Sequence, residues 1–234
     1  MANHYFGRFG GLSAGAIWGL IPGLLKVLLN VPEVIVTLLM NQIAVAAVSP
    51  VSWWRIPESA QLIPLVATTK LTNAVIVALT IVGITYLYLW HRTTGLEIRM
   101  AGQAPAFARY AGMRPKRAIL MAMALSGALA GLAGTLEVLG VHYRFVSSFS
   151  SIDQFDGIAV SLLGQLHPLG VARSAFLLGG LRLGALTGLQ MQTTVPRELG
   201  NALIAIMMIF VVAPQLVSFL KFIKPAFGTY TKLQ

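Results

Sequence analysis

The side chains that could do chemistry are few, and their spacing does not form an enzyme site. The chain has seven Asp and Glu residues, four His and no Cys. The lack of cysteine excludes a thiolate metal site and a cysteine nucleophile. The sequence contains neither the G-x-x-x-x-G-K-[ST] loop that holds nucleotide phosphates nor the H-E-x-x-H motif of zinc peptidases. We therefore predict a chain that catalyses no reaction and holds no metal or cofactor of its own.

Four residues that could contact a solute lie at or inside apolar stretches. An ionisable side chain inside a membrane costs on the order of 3 kcal/mol. Asn41 lies within one such stretch, and Glu137 lies near the end of another. Asp156 follows Phe155 at the start of a short one, and short helices with polar ends commonly form binding sites in transporters. We predict that these four residues line a solute path. The alternatives are an interhelical hydrogen bond for Asn41 and a helix cap for Asp156.

The chain around these polar residues is strongly apolar. Apolar residues make up 56% of the sequence and charged residues only 10%, whereas a soluble domain carries about 25% charged residues. The sequence therefore predicts an all-α, polytopic membrane protein. The net charge of +10 does not indicate nucleic-acid binding, because most Lys and Arg residues lie in short connections, as the positive-inside rule expects.

About seven membrane segments are predicted from the apolar stretches. They span 11–29, 34–48, 72–90, 118–139, 155–167, 171–191 and 198–219. Pro22 and Gly23 interrupt the first segment, and 155–167 is so short that it is either a broken or a re-entrant helix. The basic loop 91–117 is assigned to the cytoplasm together with the C-terminus. Because the chain has no internal repeat or low-complexity linker, residues 1–234 are predicted to form a single transmembrane domain.

Glycines recur at every fourth position on three of these segments: Gly15, Gly19 and Gly23; Gly127 and Gly131; Gly180, Gly184 and Gly188. Stripes of small residues let helix backbones approach closely in lipid. They predict close packing either within the chain or, alternatively, against a second chain.

The cytoplasmic loop 91–117 contains the signals of a short helix. Pro105 suits a first helical turn, the residues after it are mostly good helix formers, and Gly112 supplies a stop. Phe107 and Tyr110 are three positions apart, which places them on one face of a helix. A solvated linker has no need of such aromatic residues. The loop therefore predicts a helix that docks in a groove on a partner, with Arg99 and Arg109 beside it.

Several motifs together resemble one family. The loop from Gly95 to Gly112 reads G-L-E-I-R-x-x-G-x-x-P-x-x-A-R-Y-A-G. With E-V-I-V-T-L at 33–38, L-S-G-A-L-A-G-L-A-G at 125–134 and F-D-G-I-A-V at 155–160, it resembles the permeases of ABC importers for nucleosides and simple sugars. These belong to the wider branched-chain amino-acid permease group. The resemblance covers nearly the whole chain and is nearest to the nucleoside-type permeases.

The resemblance implies a set of partners. Gly102 to Gly112 would be the coupling helix that is received by a separate ATPase subunit, which binds the ATP. Two permease chains would line one path through the inner or plasma membrane, and a solute-binding protein would deliver the solute. That solute would be a nucleoside, with simple sugars and riboflavin as alternatives. The other hypothesis is a self-sufficient secondary transporter or channel.

The chain differs from this family in its length. Family members usually have further spans ahead of the region around Pro22 and Gly23. We therefore expect that the N-terminal spans of the full family are missing, either because the start lies downstream of the natural one or because the chain is a shortened relative.

Overall fold

The computed structural model describes residues 2–48, 73–143, 153–184 and 206. Within these ranges every regular element is a helix, which confirms the all-α prediction. Contacts divide the chain into two compact units, residues 1–149 and residues 150–234, and each is described by itself. The single transmembrane domain stays a prediction.

The first unit begins with two helices joined by a short turn. Helix α1 spans Ala2–Leu29 and helix α2 spans Glu33–Val48. Asn30 lies in the turn with φ 54°, a left-handed conformation that asparagine tolerates better than most residues. Across the turn the Lys26 ammonium pairs with the Glu33 carboxylate at 2.7 Å. Both side chains are partly exposed, and exposed pairs contribute only about 0–1 kcal/mol.

The predicted interruption of the first segment is wrong, because α1 continues through Pro22 and Gly23. Proline removes one helical hydrogen bond, but membrane helices tolerate it where neighbouring groups pack around the site. Both residues are buried, and a Cβ atom at Gly23 would lie 3.0 Å from the Cβ atom of Met123. Packing against the helix that contains Met123 therefore accompanies an unbroken helix at the residues that the sequence marks as a break.

Four more helices follow in this unit. They are α3 (Ala74–His91), α4 (Thr93–Gln103), α5 (Pro105–Tyr110) and α6 (Pro115–Glu137), and a π-helical turn (Val138–His142) continues α6. The extended backbone of Arg92, with φ −113° and ψ 145°, separates α3 from α4. Helix α4 then packs back on α3, because Gly95 has no side chain; a Cβ atom there would lie 2.6 Å from the Cα atom of Leu89.

Helices α1 and α6 cross with their backbones in direct contact. A Cβ atom at Gly127 would lie 2.8 Å from the Cα atom of Gly19, and one at Gly131 would lie 2.9 Å from the Cα atom of Gly15. Cβ atoms essentially never come closer than 3.0 Å, so only glycine fits here. We call this contact of Gly15, Gly19, Gly127 and Gly131 the glycine seam. It confirms packing within the chain for the first two predicted stripes.

The second unit contains a helical hairpin. Helix α7 spans Asp153–Leu163 and helix α8 spans Pro168–Leu183. Gln165 and Leu166 reverse the chain with φ 53° and 56°, and the buried Ser174 hydroxyl donates to the Val160 carbonyl at 2.8 Å. The 11 residues of α7 extend about 16 Å, roughly half of a hydrocarbon core. The helix is short, as predicted for 155–167, but it ends at Leu163 because the left-handed turn begins soon afterwards.

Within the described ranges, three helices are long and apolar enough to cross a membrane: Gly10–Leu29, Ala74–His91 and Pro115–Gly140. Helix α2 is apolar, but its 16 residues fall short of the roughly 20 that a span needs. The predicted segment 198–219 lies outside the described residues except for Ile206, and so does the end of 171–191. The total of seven segments stays a prediction.

Candidate functional site

A cavity of about 850 Å³ lies between α1, α2 and α6 in the first unit. The glycines of the seam form part of its wall, which is made mostly of small and apolar residues. Its polar members are Thr37, Asn41, Ser126 and Thr135, and none of the described residues that line it is charged. The volume lies in the range of small-molecule sites. No group of three His, Asp or Glu residues in the described ranges could hold a metal ion.

Two hydroxyl groups at this wall donate to carbonyls of their own helices. The Thr37 hydroxyl lies 2.9 Å from the Glu33 carbonyl oxygen, and the Thr135 hydroxyl lies 2.8 Å from the Gly131 carbonyl oxygen. A hydroxyl has one proton to donate, so these two oxygens can offer a bound molecule only their lone pairs. The half-buried Asn41 has an amide that both donates and accepts.

Trp18 is the one aromatic side chain among the described residues that line the cavity. It lies on α1, one turn before Pro22, and 42% of its surface is exposed. Trp18 is not among the residues predicted from the sequence, because a tryptophan inside an apolar segment is equally typical of a lipid-facing position. The signal that could have found it is its place one residue before Gly19, at the edge of the glycine stripe.

The structure places the predicted path residues in different parts of the molecule. Asn41 lines the cavity, whereas Glu137 is exposed at the end of α6 and is not part of the wall. Phe155 and Asp156 belong to the first turns of α7 in the second unit, and only their backbone is described. A shared path for all four residues stays a prediction.

The predicted docking helix is present as α5, the six residues from Pro105 to Tyr110. Pro105 occupies the first turn, and Gly112 ends the segment with φ 76°, a conformation that favours glycine. Ala108 is completely buried, while Phe107 is 58% exposed and Tyr110 is 91% exposed. One face of α5 is therefore packed in the protein, and two aromatic rings project from the rest.

The Arg99 side chain packs on helix α3. Its guanidinium lies 4.5 Å from the ring centre of Trp90 on α3, a cation–π contact. The Arg99 Nε atom is buried, and it has no hydrogen-bond partner in the described part of the chain. Gly102 is exposed near the end of α4. The sequence analysis missed α4, although Leu96 to Ala101 are mostly good helix formers.

Comparison with known proteins places these features in a family. The branched-chain amino acid transport system / permease component family matches residues 4–212. Because the match covers most of the chain, the chain belongs to this family. Its apolar helices and its family make it a multi-pass protein of the cell membrane.

Three curated relatives are similar to the chain over most of its length. The guanosine ABC transporter permease protein NupP of Bacillus subtilis is 37% identical over 88% of this chain and 64% of its own. The nucleoside ABC transporter permease protein NupB of Lactococcus lactis is 32% identical over 75% of this chain and 54% of its own. The glucose ABC transporter permease protein TsgB13 of Haloferax volcanii is 26% identical over 86% and 59%.

The chain thus spans between about half and two thirds of the length of these relatives. No solved structure matches the chain.

Proposed function

We propose that this chain is the permease subunit of an ABC importer, that it forms a solute path, and that a separate ATPase subunit drives it. A nucleoside is the favoured solute, because two of the relatives are named as guanosine and nucleoside permeases; simple sugars and riboflavin are the alternatives. The chain itself carries out no chemistry. The observation that carries the proposal is helix α5, with Ala108 completely buried and two aromatic rings exposed beside it.

Helix α5 is too short to be stable without contacts to the rest of the protein. An isolated helix of six residues is not stable in water, because nucleation is unfavourable. Here Ala108 anchors the helix, and its backbone N–H donates to the Ala104 carbonyl at 3.0 Å. The exposed Phe107 and Tyr110 rings remain in contact with solvent. Aromatic residues are enriched among the strongest contributors to protein interfaces, so these two rings are suited to a groove on the ATPase.

The remaining coupling residues surround this helix. Pro105 and Gly112 set its ends, and Arg109 is exposed beside the rings, where it can meet acidic groups. Arg99 acts through the position of α4, because its side chain packs on α3. Gly102 belongs to the same segment. We assign this loop, 91–117, to the cytoplasm.

The solute path is assigned to Asn41, Glu137, Phe155 and Asp156. Asn41 has the support of the cavity that it lines. The other three are proposed on their polar character or their position at segment ends. The complete transporter would contain a second permease chain and a solute-binding protein in addition to the ATPase, all at a lipid bilayer.

The test removes the two exposed rings by Phe107→Ala together with Tyr110→Ala in the complete transporter. We expect normal membrane insertion, loss of ATPase copurification and loss of uptake, because interface anchors of this kind contribute about 2 kcal/mol or more each. The matched control is Phe176→Ala, which removes an exposed ring (87%) from α8 and should leave all three measurements unchanged. Unchanged copurification and uptake in the double variant would show that the loop is a solvated linker, and a chain that transports without any ATPase would be a secondary transporter or channel.

A further inference from the structure

The charge of the cavity between α1, α2 and α6 restricts what it can hold. None of the described residues that line it is charged. Transfer of an ion or a zwitterion into such a wall would leave its charges without partners, and an unpaired charge in an apolar environment is strongly unfavourable. The description of the family refers to branched-chain amino acids. A free amino acid, however, would bring both an ammonium and a carboxylate group into this cavity. The wall suits an uncharged solute.

The hydrogen-bonding groups of the wall favour an uncharged solute with a flat ring over a sugar. A sugar carries a hydroxyl group on most of its carbons, and each hydroxyl must exchange water for a partner when it is buried. Of the four polar wall residues, Thr37 and Thr135 already donate their protons to helix carbonyls, so the donors among them are limited to the Ser126 hydroxyl and the Asn41 amide. A solute with a large flat ring and a small number of polar edge atoms is a better match for this wall.

Trp18 and Asn41 supply the contacts that such a ring requires. The partly exposed indole of Trp18 is a flat surface on which a heteroaromatic ring can stack, a contact that tolerates any base. The Asn41 amide presents donors and an acceptor, the combination that recognises the edge of a nucleic-acid base. An amide has several hydrogen-bonding positions, so a contact within the protein leaves others for a solute. Met40 and Met123 complete the wall with adaptable side chains.

We propose that this cavity selects uncharged heteroaromatic solutes, with Trp18 as the stacking residue and Asn41 as the residue that reads the ring edge. The inference rests on the proposed function and adds to it the residues that determine specificity. It gives a role to Trp18, which is not one of the predicted path residues. It also predicts that the cavity discriminates nucleoside-like solutes from sugars and amino acids.

The test uses the complete transporter in vesicles and four radiolabelled probes: guanosine, adenosine, glucose and leucine. The unmodified protein should take up guanosine, and neither glucose nor leucine in excess should compete. Trp18→Leu should lower guanosine uptake about tenfold or more through loss of stacking, whereas Trp18→Phe, which keeps an aromatic face, should stay within about threefold of the unmodified protein. Asn41→Leu should lower guanosine uptake and reduce the preference for guanosine over adenosine, because the ring edge loses its hydrogen-bonding partner. The matched control is Ile17→Ala, which removes an exposed side chain on α1 that does not line the cavity.

Protein abundance and ATPase copurification, measured in every variant, separate a folding defect from a loss of recognition. Full abundance with reduced guanosine uptake only in Trp18→Leu and Asn41→Leu supports the inference. If both variants take up guanosine like the unmodified protein, or if glucose or leucine is the solute carried, the inference is overturned while the importer assignment stands. If no ATPase copurifies with the unmodified chain, the importer assignment fails, and the inference fails with it.

Discussion

The glycine seam and the docking helix α5 are two contacts built from small residues, and they differ in what they leave exposed. At the seam, two backbones meet with no side chain between them, so the interaction is completed inside the chain. At α5, one small residue, Ala108, is buried, and the large Phe107 and Tyr110 side chains point away from the packed face. The seam is completed within the chain, whereas α5 presents the two exposed rings that we propose to dock on the ATPase. The seam residues contribute to the fold of this chain, whereas the exposed residues of α5 are proposed to contact a partner protein.

The largest effect is expected at the seam. Gly127→Ala places a Cβ atom 2.8 Å from the Gly19 Cα atom, so the two helices must move apart, at a cost of about 2–3 kcal/mol. The matched control is Gly83→Ala on α3, where a Cβ atom has nothing within 4 Å and the change improves helix propensity. Thermal unfolding and abundance of the purified protein measure both variants. Equal behaviour of the two variants would show that the seam is not close-packed.

An intermediate effect is expected at the anchor of α5. Ala108→Leu introduces a larger side chain at a position with 0% exposure, and overpacking of this kind costs about 1–2 kcal/mol. The helix should then detach more often, so trypsin should cut after Arg109 roughly tenfold faster in membranes without the partner. Ala106→Leu, at an exposed position of the same helix, is the control and should be cut at the normal rate. The same cutting rate in both variants would mean that Ala108 does not hold the helix.

The smallest effect is expected at the junction of α3 and α4. Arg99→Met keeps the aliphatic part of the side chain and removes the charge over Trp90, which costs about 0.5–1 kcal/mol. Because we propose that Arg99 acts by positioning α4, we expect this variant to lower the unfolding temperature slightly and to leave the salt sensitivity of ATPase binding unchanged. Arg92→Met removes an exposed charge and should not change stability. A salt-dependent loss of ATPase binding in Arg99→Met would instead place Arg99 in the interface.

Local signals in the sequence were enough for α5 but not for its surroundings. Pro105 and Gly112 mark the ends of that helix through their own backbone preferences, so neighbouring residues are not needed to find them. Helix α4 was missed because it lies in a polar stretch, and Gly95 packs it against a residue of α3. Pro22 was interpreted as a helix break because the packing around it in the folded protein cannot be read from the sequence. In the structure Pro22 is buried within a continuous helix.

The candidate path shows the same limit. The polar character of Asn41 was visible in the sequence, and the structure brings it to a cavity wall. The cavity itself could not be predicted, because its wall combines residues of helices that are far apart in sequence. Trp18 becomes a candidate only when that wall is known. A stripe of small residues predicts that a helix packs closely, but it does not name the partner helix.

The distance between the two halves of the seam has a consequence for synthesis. Gly15 and Gly127 are 112 positions apart (127 − 15), and chains grow at about 5–20 residues per second. The ribosome therefore completes α6 roughly 6–20 seconds after it has completed α1. During that interval α1 has to persist in the bilayer with its glycine face still open to lipid, supported by its own apolar residues. The contact between α1 and α6 cannot form until α6 has been made, so α1 must be stable in lipid before this contact exists.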